Sequence, residues 1–182
     1  MLSASELGDY IDSRVTRSAF RLELLDRYEV ASDGSDFARY LAGEQAPTPE
    51  RKQPWLDHLA ADYAAGIRNY RVHVLSTPLN DYLRYECEWG YIPNGQAGEE
   101  IYILDLAERD KPDGLVDDDF WLVDDEHAIR MYYAEDGQFL GAEPVHNLET
   151  YQRARDAAMA TAEPFANWWA RHPEEWRTYQ PQ

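Results

Sequence analysis

The sequence predicts an α/β or α+β fold in which a mixed β-sheet carries packed helices and a closing C-terminal helix. Two patterns predict this class. Strand-like and helix-like segments are interleaved in the first part of the chain, and a hairpin followed by a long helix ends it. With 182 residues, 44% of them hydrophobic, the chain can bury the core of one domain. We therefore treat 1–182 as a single domain, with a helix or arm at 1–16 and a polar tail at 173–182.

The most distinctive strand signal is the apolar run Phe120-Trp121-Leu122-Val123, which lies between two groups of acidic residues. A short continuous apolar run predicts a buried strand. The acids on both sides predict that the two ends of this strand lie in solvent, because an unpaired carboxylate is costly to bury.

Alternating apolar residues and turn signals predict the remaining strands, although 19–30 could also form a helix. Glu135-Asp136-Gly137 is a strong hairpin signal between two such runs. A turn is expected at 32–35 and loops at 46–54 and 91–99, where proline and glycine occur. The predicted strands are 19–30, 69–75, 101–104, 128–133 and 138–145.

Helices are predicted where apolar residues recur every third or fourth position. Ser76-Thr77-Pro78 indicates a helix start, because it offers a hydroxyl cap and a proline in the first turn. Asn147 is expected to cap a long last helix that Pro164 kinks. The other predicted helices are 2–16, 36–41 and 55–67.

The net charge of −18 argues against direct binding to nucleic acid or to an anionic membrane. This charge is uneven, because 98–126 holds twelve acids against two bases. The segment is either an acidic docking face for a protein partner or a pair of solvated loops beside strands. The residues of such a docking face are Asp117, Asp118, Asp119, Asp124 and Asp125.

The sequence contains no recognisable catalytic or metal-binding pattern. It lacks a Gly-x-Ser-x-Gly motif, and Cys87 lies among apolar residues of a predicted helix, which favours a packed thiol. The five histidines show no paired spacing, and 113–119 does not match a calcium loop. Paired carboxylates could act as acid and base, but thirty-five acids bring such pairs together by chance. We predict no catalytic residue, no metal and no cofactor.

Targeting and membrane signals are also missing from the sequence. Its first residues lack a basic segment followed by an apolar core, and no run approaches ~18 apolar residues. A single cysteine excludes an intramolecular disulfide. These features predict a cytoplasmic protein with no membrane partner.

A second candidate site is the predicted helix start at Thr77. Free amides at a helix N-terminus can hold an anion, and Arg71 and Arg84 lie nearby in the sequence. With Tyr82 they would line a pocket for an anionic ligand; an ordinary capped helix is the alternative. Near the C-terminus, Trp176 is either an exposed contact for a partner or part of the core.

Four segments of the chain resemble an uncharacterised actinobacterial family, classified as domain of unknown function 6879. The segments are 19–23, 72–86, 97–101 and 119–124, and the resemblance runs over about 20–169. Members of this family commonly lie near helix-turn-helix regulators, so the resemblance implies a regulatory or interaction role. The segment after Ile101 is usually more basic in that family, which weakens an anion site at this point.

A remoter similarity is to phospholipase-D-like sensor domains attached to bacterial regulators. The strand at 120–125, the hairpin and the following helix look like the C-terminal part of that fold. Catalysis there needs His-x-Lys, whereas neither His73 nor His127 is followed by lysine at the second position. The resemblance therefore implies a non-catalytic relative.

Three functional hypotheses follow. The first is a non-enzymatic regulatory protein that binds a protein partner, such as a helix-turn-helix regulator, through the acidic face, because complementary charge speeds and selects encounters. The second is a sensor of a small anionic ligand with a degenerate phospholipase-D-like fold. The third is an enzyme of unknown reaction, because catalysts built on carboxylates alone leave no clear motif.

Overall fold

Seven strands form one mixed sheet in the computed structural model, which describes residues 1–29 and 34–177. They are β1 (Ser18–Glu23), β2 (Arg68–Leu75), β3 (Glu100–Asp105), β4 (Phe120–Val123), β5 (His127–Tyr133), β6 (Phe139–Val145) and β7 (Glu163–Pro164). Their spatial order is β6-β5-β4-β1-β2-β3-β7. Strands β1, β2 and β3 are parallel, and the other neighbours pair antiparallel. The predicted mixed sheet is confirmed.

Helices connect and cover the strands. They are α1 (Ala4–Asp12), α2 (Asp36–Leu41), α3 (Pro49–Ala64), α4 (Asp81–Tyr85), α5 (Ile92–Gln96), α6 (Leu148–Thr161) and α7 (Phe165–Arg171). A π-helical segment, Glu86–Tyr91, joins α4 to α5, and a 3-10 turn, Pro173–Glu175, follows α7. Within the described ranges, none of the helices combines the length and apolar character needed to cross a membrane.

Several predicted elements are confirmed. The apolar run is strand β4, which lies inside the sheet between β5 and β1. The hairpin is β5–β6, and α1, α2 and α3 each overlap a predicted helix. The first strand is shorter than expected, because β1 ends at Glu23. Val30, Ser32 and Asp33, which belong to the predicted strand and turn, lie outside the described residues.

The predicted helix start at Thr77 is wrong. Helix α4 begins at Asp81, because the side chain of Asn80 caps it by accepting a hydrogen bond from the amide of Leu83 at 2.8 Å. The predicted loop at 91–99 is also wrong over 92–96, which form α5. Pro93 fits there, since a proline is tolerated in the first turn of a helix.

Two further boundaries differ from the predictions. The connection expected at 46–54 ends at Thr48, because Pro49 begins α3. The long last helix is divided in two, since β7 separates α6 from α7 at Pro164. Asn147 precedes α6 but makes no capping hydrogen bond through its side chain. The predicted closing helix is therefore two separate helices, α6 and α7.

One face of the sheet carries the main apolar core. Side chains alternate between the two faces of a strand, so Phe20 and Leu22 of β1 lie beside Val72 of β2 on the same face. Phe120 of β4 continues this layer, and Tyr151 of α6 packs edge-on against its ring. The face is buried beneath α6.

The opposite face carries charged side chains at its centre. Register places Arg21 of β1 beside Arg71 of β2, and Glu23 beside His73. Of these four, Glu23, Arg71 and His73 are buried, whereas Arg21 keeps a little exposure. The segment from α4 to α5 covers them. Burying so much charge is costly unless each group has a partner, which makes this region the natural place to look for a site.

The N-terminal segment 1–16 contains helix α1, which packs on the sheet. Ser3 and Glu6 form a capping box at the start of α1, and Leu7 is buried beside Met131 of β5. Leu2 pairs with Ala142 of β6 through two backbone hydrogen bonds of 2.6 and 3.0 Å. The segment thus pairs with the edge strand β6 through Leu2 and packs on the face of the sheet through α1.

The predicted polar tail is wrong for 173–177, which pack on the protein. Oε2 of the buried Glu175 accepts hydrogen bonds from the amide of Leu79 and from Arg84. The indole of Trp176 donates to the carbonyl of Trp169 at 3.0 Å, and the two rings lie close together. Residues 178–182 lie outside the described residues.

Candidate functional site

Asp124, which was expected in solvent at the end of β4, is buried. Its carboxylate accepts hydrogen bonds from the backbone amides of Thr16, Arg17 and Ser18 at 2.8–3.2 Å, and from the Thr16 hydroxyl. Burial opposes the charge, but these bonds hold the pKa of Asp124 at about 2. The residue fixes the segment between α1 and β1, and this structural role replaces the predicted exposed one.

Asp119, at the other end of β4, is also buried, so the prediction of solvated strand ends is wrong here too. It accepts a hydrogen bond of 2.5 Å from the hydroxyl of Tyr28 and one of 3.0 Å from the amide of Leu24. Burial raises the pKa of Asp119 to about 6, although the Tyr28 bond and the nearby Arg21 act in the opposite direction.

The other three aspartates of the predicted docking face lie nearer the surface, each in an ion pair. Their partners within the described residues are Lys111 for Asp117, Arg130 for Asp118 and Arg155 for Asp125, with N–O distances of 2.5–2.7 Å. A basic partner protein would compete with these cations. Trp176 is about one-third exposed, so only part of its ring could contact a partner.

The predicted anion site at Thr77 is not assembled. The amide and hydroxyl of Thr77 both donate to the carboxylate of Asp105, at 3.2 and 3.0 Å. Arg84 is paired with Glu175 at 2.7 Å. Arg71 and Tyr82, by contrast, both line a cavity on the charged face of the sheet. Of the four predicted ligand residues, Arg71 and Tyr82 thus share a cavity, whereas Thr77 and Arg84 bond to Asp105 and Glu175.

Arg71 is the centre of what we call the buried charge cluster. Its Nε and Nη2 donate to Oε1 of Glu99 at 2.8 and 2.6 Å, and its Nη1 donates to Oε2 of Glu23 at 3.0 Å. Asn94 of α5 supports Glu99 by donating to its other oxygen. The cluster consists of Arg21, Glu23, Arg71, His73, Glu86 and Glu99.

Both partners of the Arg71–Glu23 pair are charged. Burial opposes each charge, but the carboxylates of Glu23 and Glu99 hold the pKa of Arg71 well above its ordinary value. Arg21 and Arg71 in turn hold the pKa of Glu23 well below its ordinary value. Pairing of this kind keeps the charges fixed in position.

The hydrogen bonds around His73 determine its protonation. Nε2 lies 2.9 Å from the carbonyl oxygen of Leu25, so Nε2 carries a proton. Nδ1 lies 2.6 Å from the hydroxyl of Tyr91, and that hydroxyl lies 2.9 Å from Oε2 of Glu23. Burial opposes a charge on the ring, but Glu86, 3.4 Å from Nδ1, and Glu23 raise the pKa of His73 to about 9. The ring is therefore an imidazolium at neutral pH, and both of its nitrogens donate.

The π-helical segment Glu86–Tyr91 positions the acid and the hydroxyl that face His73. A π-helix is rare and often occurs at functional sites. Here its first and last residues both contact the same imidazole ring. Oε2 of Glu86 is buried and makes no hydrogen bond with a described residue, so its only compensation is the ion pair with His73.

A cavity of about 490 Å³ adjoins this cluster, and we call it the aromatic cavity. Its lining includes seven aromatic side chains, among them Trp55, Trp89 and Trp121. Arg21, Arg71 and other charged residues also line it. It lies toward the carboxyl ends of the parallel strands β1 and β2, where α/β sheets commonly bind ligands. A second cavity of about 660 Å³ shares part of this lining.

Two groups among the described residues have the composition of a metal site, with ligand atoms within 4.8 Å of one another. They are Glu23–His73–Glu86 and Asp105–Glu108–His172. A histidine must be neutral to bind a metal, whereas the contacts of His73 make it a cation. In the second group, Glu108 already pairs with Arg171 at 2.9 Å and with His172 at 3.0 Å. In this structure the acids of both groups have histidine or arginine as their partners.

Sequence reasoning selected Arg71 and Tyr82 from this site but missed Glu23, His73 and Glu86. A signal was present in β1 and β2, where charged residues alternate with apolar residues. The apolar residues predict that one face of these strands is buried. Alternation normally indicates a solvated face. Only the cover of α4, the π-helical segment and α5 makes this face an interior one.

The fold and the cavity define a mixed α/β protein with a buried, charged and aromatic internal site. A family model described as domain of unknown function (DUF6879) matches residues 5–170. The chain belongs to that family, as the resemblance of its segments predicted. No curated protein matches the chain.

Proposed function

We propose that the chain is a small-molecule-binding protein, of the sensor type, whose site is the aromatic cavity. The observation that carries this proposal is a cavity of about 490 Å³ with seven aromatic side chains in its lining and a buried charge cluster beside it. Ligand pockets typically measure about 300–1,000 Å³ and combine apolar walls with a few fixed polar groups. The proposal involves no chemical step.

The charge cluster supports this function because its energetic cost needs an explanation. Replacing a buried ion pair with apolar residues is often neutral or stabilising, so fold stability alone does not require one. A binding site, however, gains from polar groups that are held rigidly before the ligand arrives. Arg71 and Glu23, each fixed by several bonds, have this property.

The proposal follows the second sequence hypothesis with a different site, and it does not depend on a phospholipase-D-like fold. The docking hypothesis for the acidic face retains Asp117, Asp118 and Asp125, whereas Asp119 and Asp124 have structural partners. Binding of a regulator to that face remains a prediction. Ligand binding and a regulatory partner are compatible, since a sensor must report its state.

Cavity filling provides the test. Gly90 lines the cavity, and a Cβ added there meets its nearest neighbour, Glu86, at an ordinary contact distance of 3.5 Å. Gly90→Leu should therefore fill the cavity without disturbing the backbone. Gly95→Leu is the matched control, because Gly95 is an exposed helical glycine with open space around its Cβ position.

Three probes with one aromatic ring system cover the possible ligand charges: 2-naphthylacetate, 2-(2-naphthyl)ethanol and 2-(2-naphthyl)ethylamine. We expect at least one to bind the native protein by calorimetry and to raise its Tm. Gly90→Leu should abolish that binding, and Gly95→Leu should retain it. Failure of all three probes to bind, or equal binding to both variants, would contradict the proposed function.

A further inference from the structure

We infer that the ligand of the aromatic cavity carries an acidic group, a carboxylate or a phosphate, which Arg21 binds. The inference rests on the proposed function and specifies its ligand class. It comes from the charges around the cavity and from the incomplete bonding of one guanidinium.

The lining of the cavity is basic in an acidic protein. Four of its residues are basic and three are acidic, whereas the whole chain has 17 basic and 35 acidic residues. The basic ones are Arg21, Arg51, Lys52 and Arg71. The lining thus holds more basic than acidic residues, unlike the chain as a whole, and this composition suits an anionic ligand.

The three acids of the lining already face cations. Glu23 pairs with Arg71, Asp36 pairs with Arg39, and Glu86 faces the imidazolium of His73. Asp36 also accepts hydrogen bonds from the amide and hydroxyl of Thr48. These carboxylates therefore have little negative potential left to attract a cationic ligand.

Arg21 differs from Arg71 in having bonding capacity left. All three guanidinium nitrogens of Arg71 donate to carboxylates, and its side chain is 7% exposed. The side chain of Arg21 is 19% exposed. Its Nη2 contacts Glu23 at 3.0 Å and the hydroxyl of Tyr133 at 3.3 Å, and its Nε is buried and has no partner among the described residues. The exposed part of a guanidinium whose N–H groups are not all used is suited to a planar or tetrahedral anion.

The guanidinium of Arg21 lies where a ligand in the cavity can reach it. Arg21 lines both the aromatic cavity and the adjoining cavity of about 660 Å³. Its guanidinium carbon lies 5.5 Å from the ring centres of Tyr28 and of Trp121, which line the aromatic cavity as well. An aromatic ligand could thus place its ring against these walls and its acidic group on Arg21.

The three naphthyl probes test the ligand class, and 2-naphthyl phosphate is added to distinguish a phosphate from a carboxylate. We expect one of the two acids to bind the native protein at least tenfold more tightly than the neutral alcohol. Arg21→Met should bring the ratio of acid affinity to alcohol affinity down to about one, because it removes the guanidinium. A general loss of cavity structure would instead weaken both probes alike and leave this ratio unchanged.

Arg21→Lys provides a second measurement, because it keeps the charge beside Glu23 but removes the fork of donors. It should lower the ratio of acid affinity to alcohol affinity about tenfold. Tightest binding by the amine, or acid binding that neither variant changes, would overturn the inference while leaving the proposed function standing. Absence of binding by every probe would instead overturn the proposed function, and the inference with it.

Discussion

His73 donates a hydrogen bond from Nδ1 to the hydroxyl of Tyr91, at 2.6 Å, on the interior face of the sheet. The direction of this bond follows from the raised pKa of His73, which keeps Nδ1 protonated at neutral pH. A residue of β2 and the last residue of the π-helical segment are thereby joined through a charged ring. The bond has this direction only while the ring is protonated.

The first prediction concerns pH. The pKa of His73 is raised to about 9 in the folded protein, above its ordinary value near 6.5. The stabilisation is therefore fully present below about pH 6.5 and is lost as the pH rises through 9, with a total of roughly 3 kcal/mol. Urea unfolding between pH 6 and pH 9.5 measures this loss.

His73→Gln should lack the component of the pH dependence that is lost between about pH 6.5 and 9. His146→Gln is the matched control, because His146 is exposed. If native protein and His73→Gln lose stability in parallel over this range, the ring does not carry the charge assigned to it.

The second prediction compares two arginines of β2. Arg71→Met leaves the buried Glu99 without its arginine and the buried Glu23 with one arginine in place of two, which costs about 3–5 kcal/mol of unfolding free energy. Arg68→Met removes an exposed pair with Glu100 and should cost less than about 1 kcal/mol. Chemical unfolding of both variants checks the difference, and similar losses would show that the Arg71 cluster contributes no more than a surface pair.

The third prediction compares the adjacent residues Asp124 and Asp125, both with positive φ, a conformation that asparagine tolerates. Asp124→Asn removes the negative charge of a group to which three backbone amides donate hydrogen bonds. Hydrogen bonds to charged groups contribute about 1.5–3 kcal/mol each to the free energy of unfolding. We expect Asp124→Asn to lower the free energy of unfolding by a few kcal/mol, as measured by chemical unfolding. Asp125→Asn should change it little, because the side chain of Asp125 is half-exposed.

The low pKa of Asp124 adds a second measurement by pH. Its contribution is present above the ordinary carboxyl pKa near 3.8 and is lost as the pH falls towards 2. Asp124→Asn should therefore approach the stability of the native protein in strong acid. A difference between the two proteins that stays constant from pH 5 to pH 2 would contradict this role.

The fourth prediction concerns Asp119, whose pKa is raised to about 6 by burial. A raised carboxyl pKa favours the protonated folded state, so native stability should fall relative to Asp119→Asn as the pH rises from about 4 to 6. Tyr28→Phe removes the hydroxyl that donates to the carboxylate, and it should move this loss to higher pH. A loss that stays at the same pH in Tyr28→Phe would show that the hydroxyl does not stabilise the charge.

Much of the fold follows from local sequence patterns. Strands β2, β3 and β4 and the hairpin are predictable, because alternation, apolar runs and the turn at Gly137 are properties of a few consecutive residues. The start of α4 was missed, because Thr77 bonds to Asp105 of another strand and leaves the cap to Asn80. No local pattern reveals such a competing partner.

The site depends on contacts between residues far apart in the sequence. Asp124 is buried because it meets amides more than a hundred positions earlier in the chain. Glu23 and His73 meet because β1 and β2 pair in one particular register. Composition showed that the chain is acidic, but it could not show which carboxylates have cations beside them. The site could not be predicted because its residues lie far apart in the sequence, although their residue types were known.

The pairing of Leu2 with Ala142 bears on self-association. An unpaired strand edge is a template on which another chain can add a strand. Here the β6 edge is occupied at Ala142 and interrupted by Pro144, which has no amide to donate, while the opposite edge is the two-residue strand β7 ending in Pro164. We expect removal of the first three residues to expose the β6 edge at Ala142, where a second copy could then add a strand.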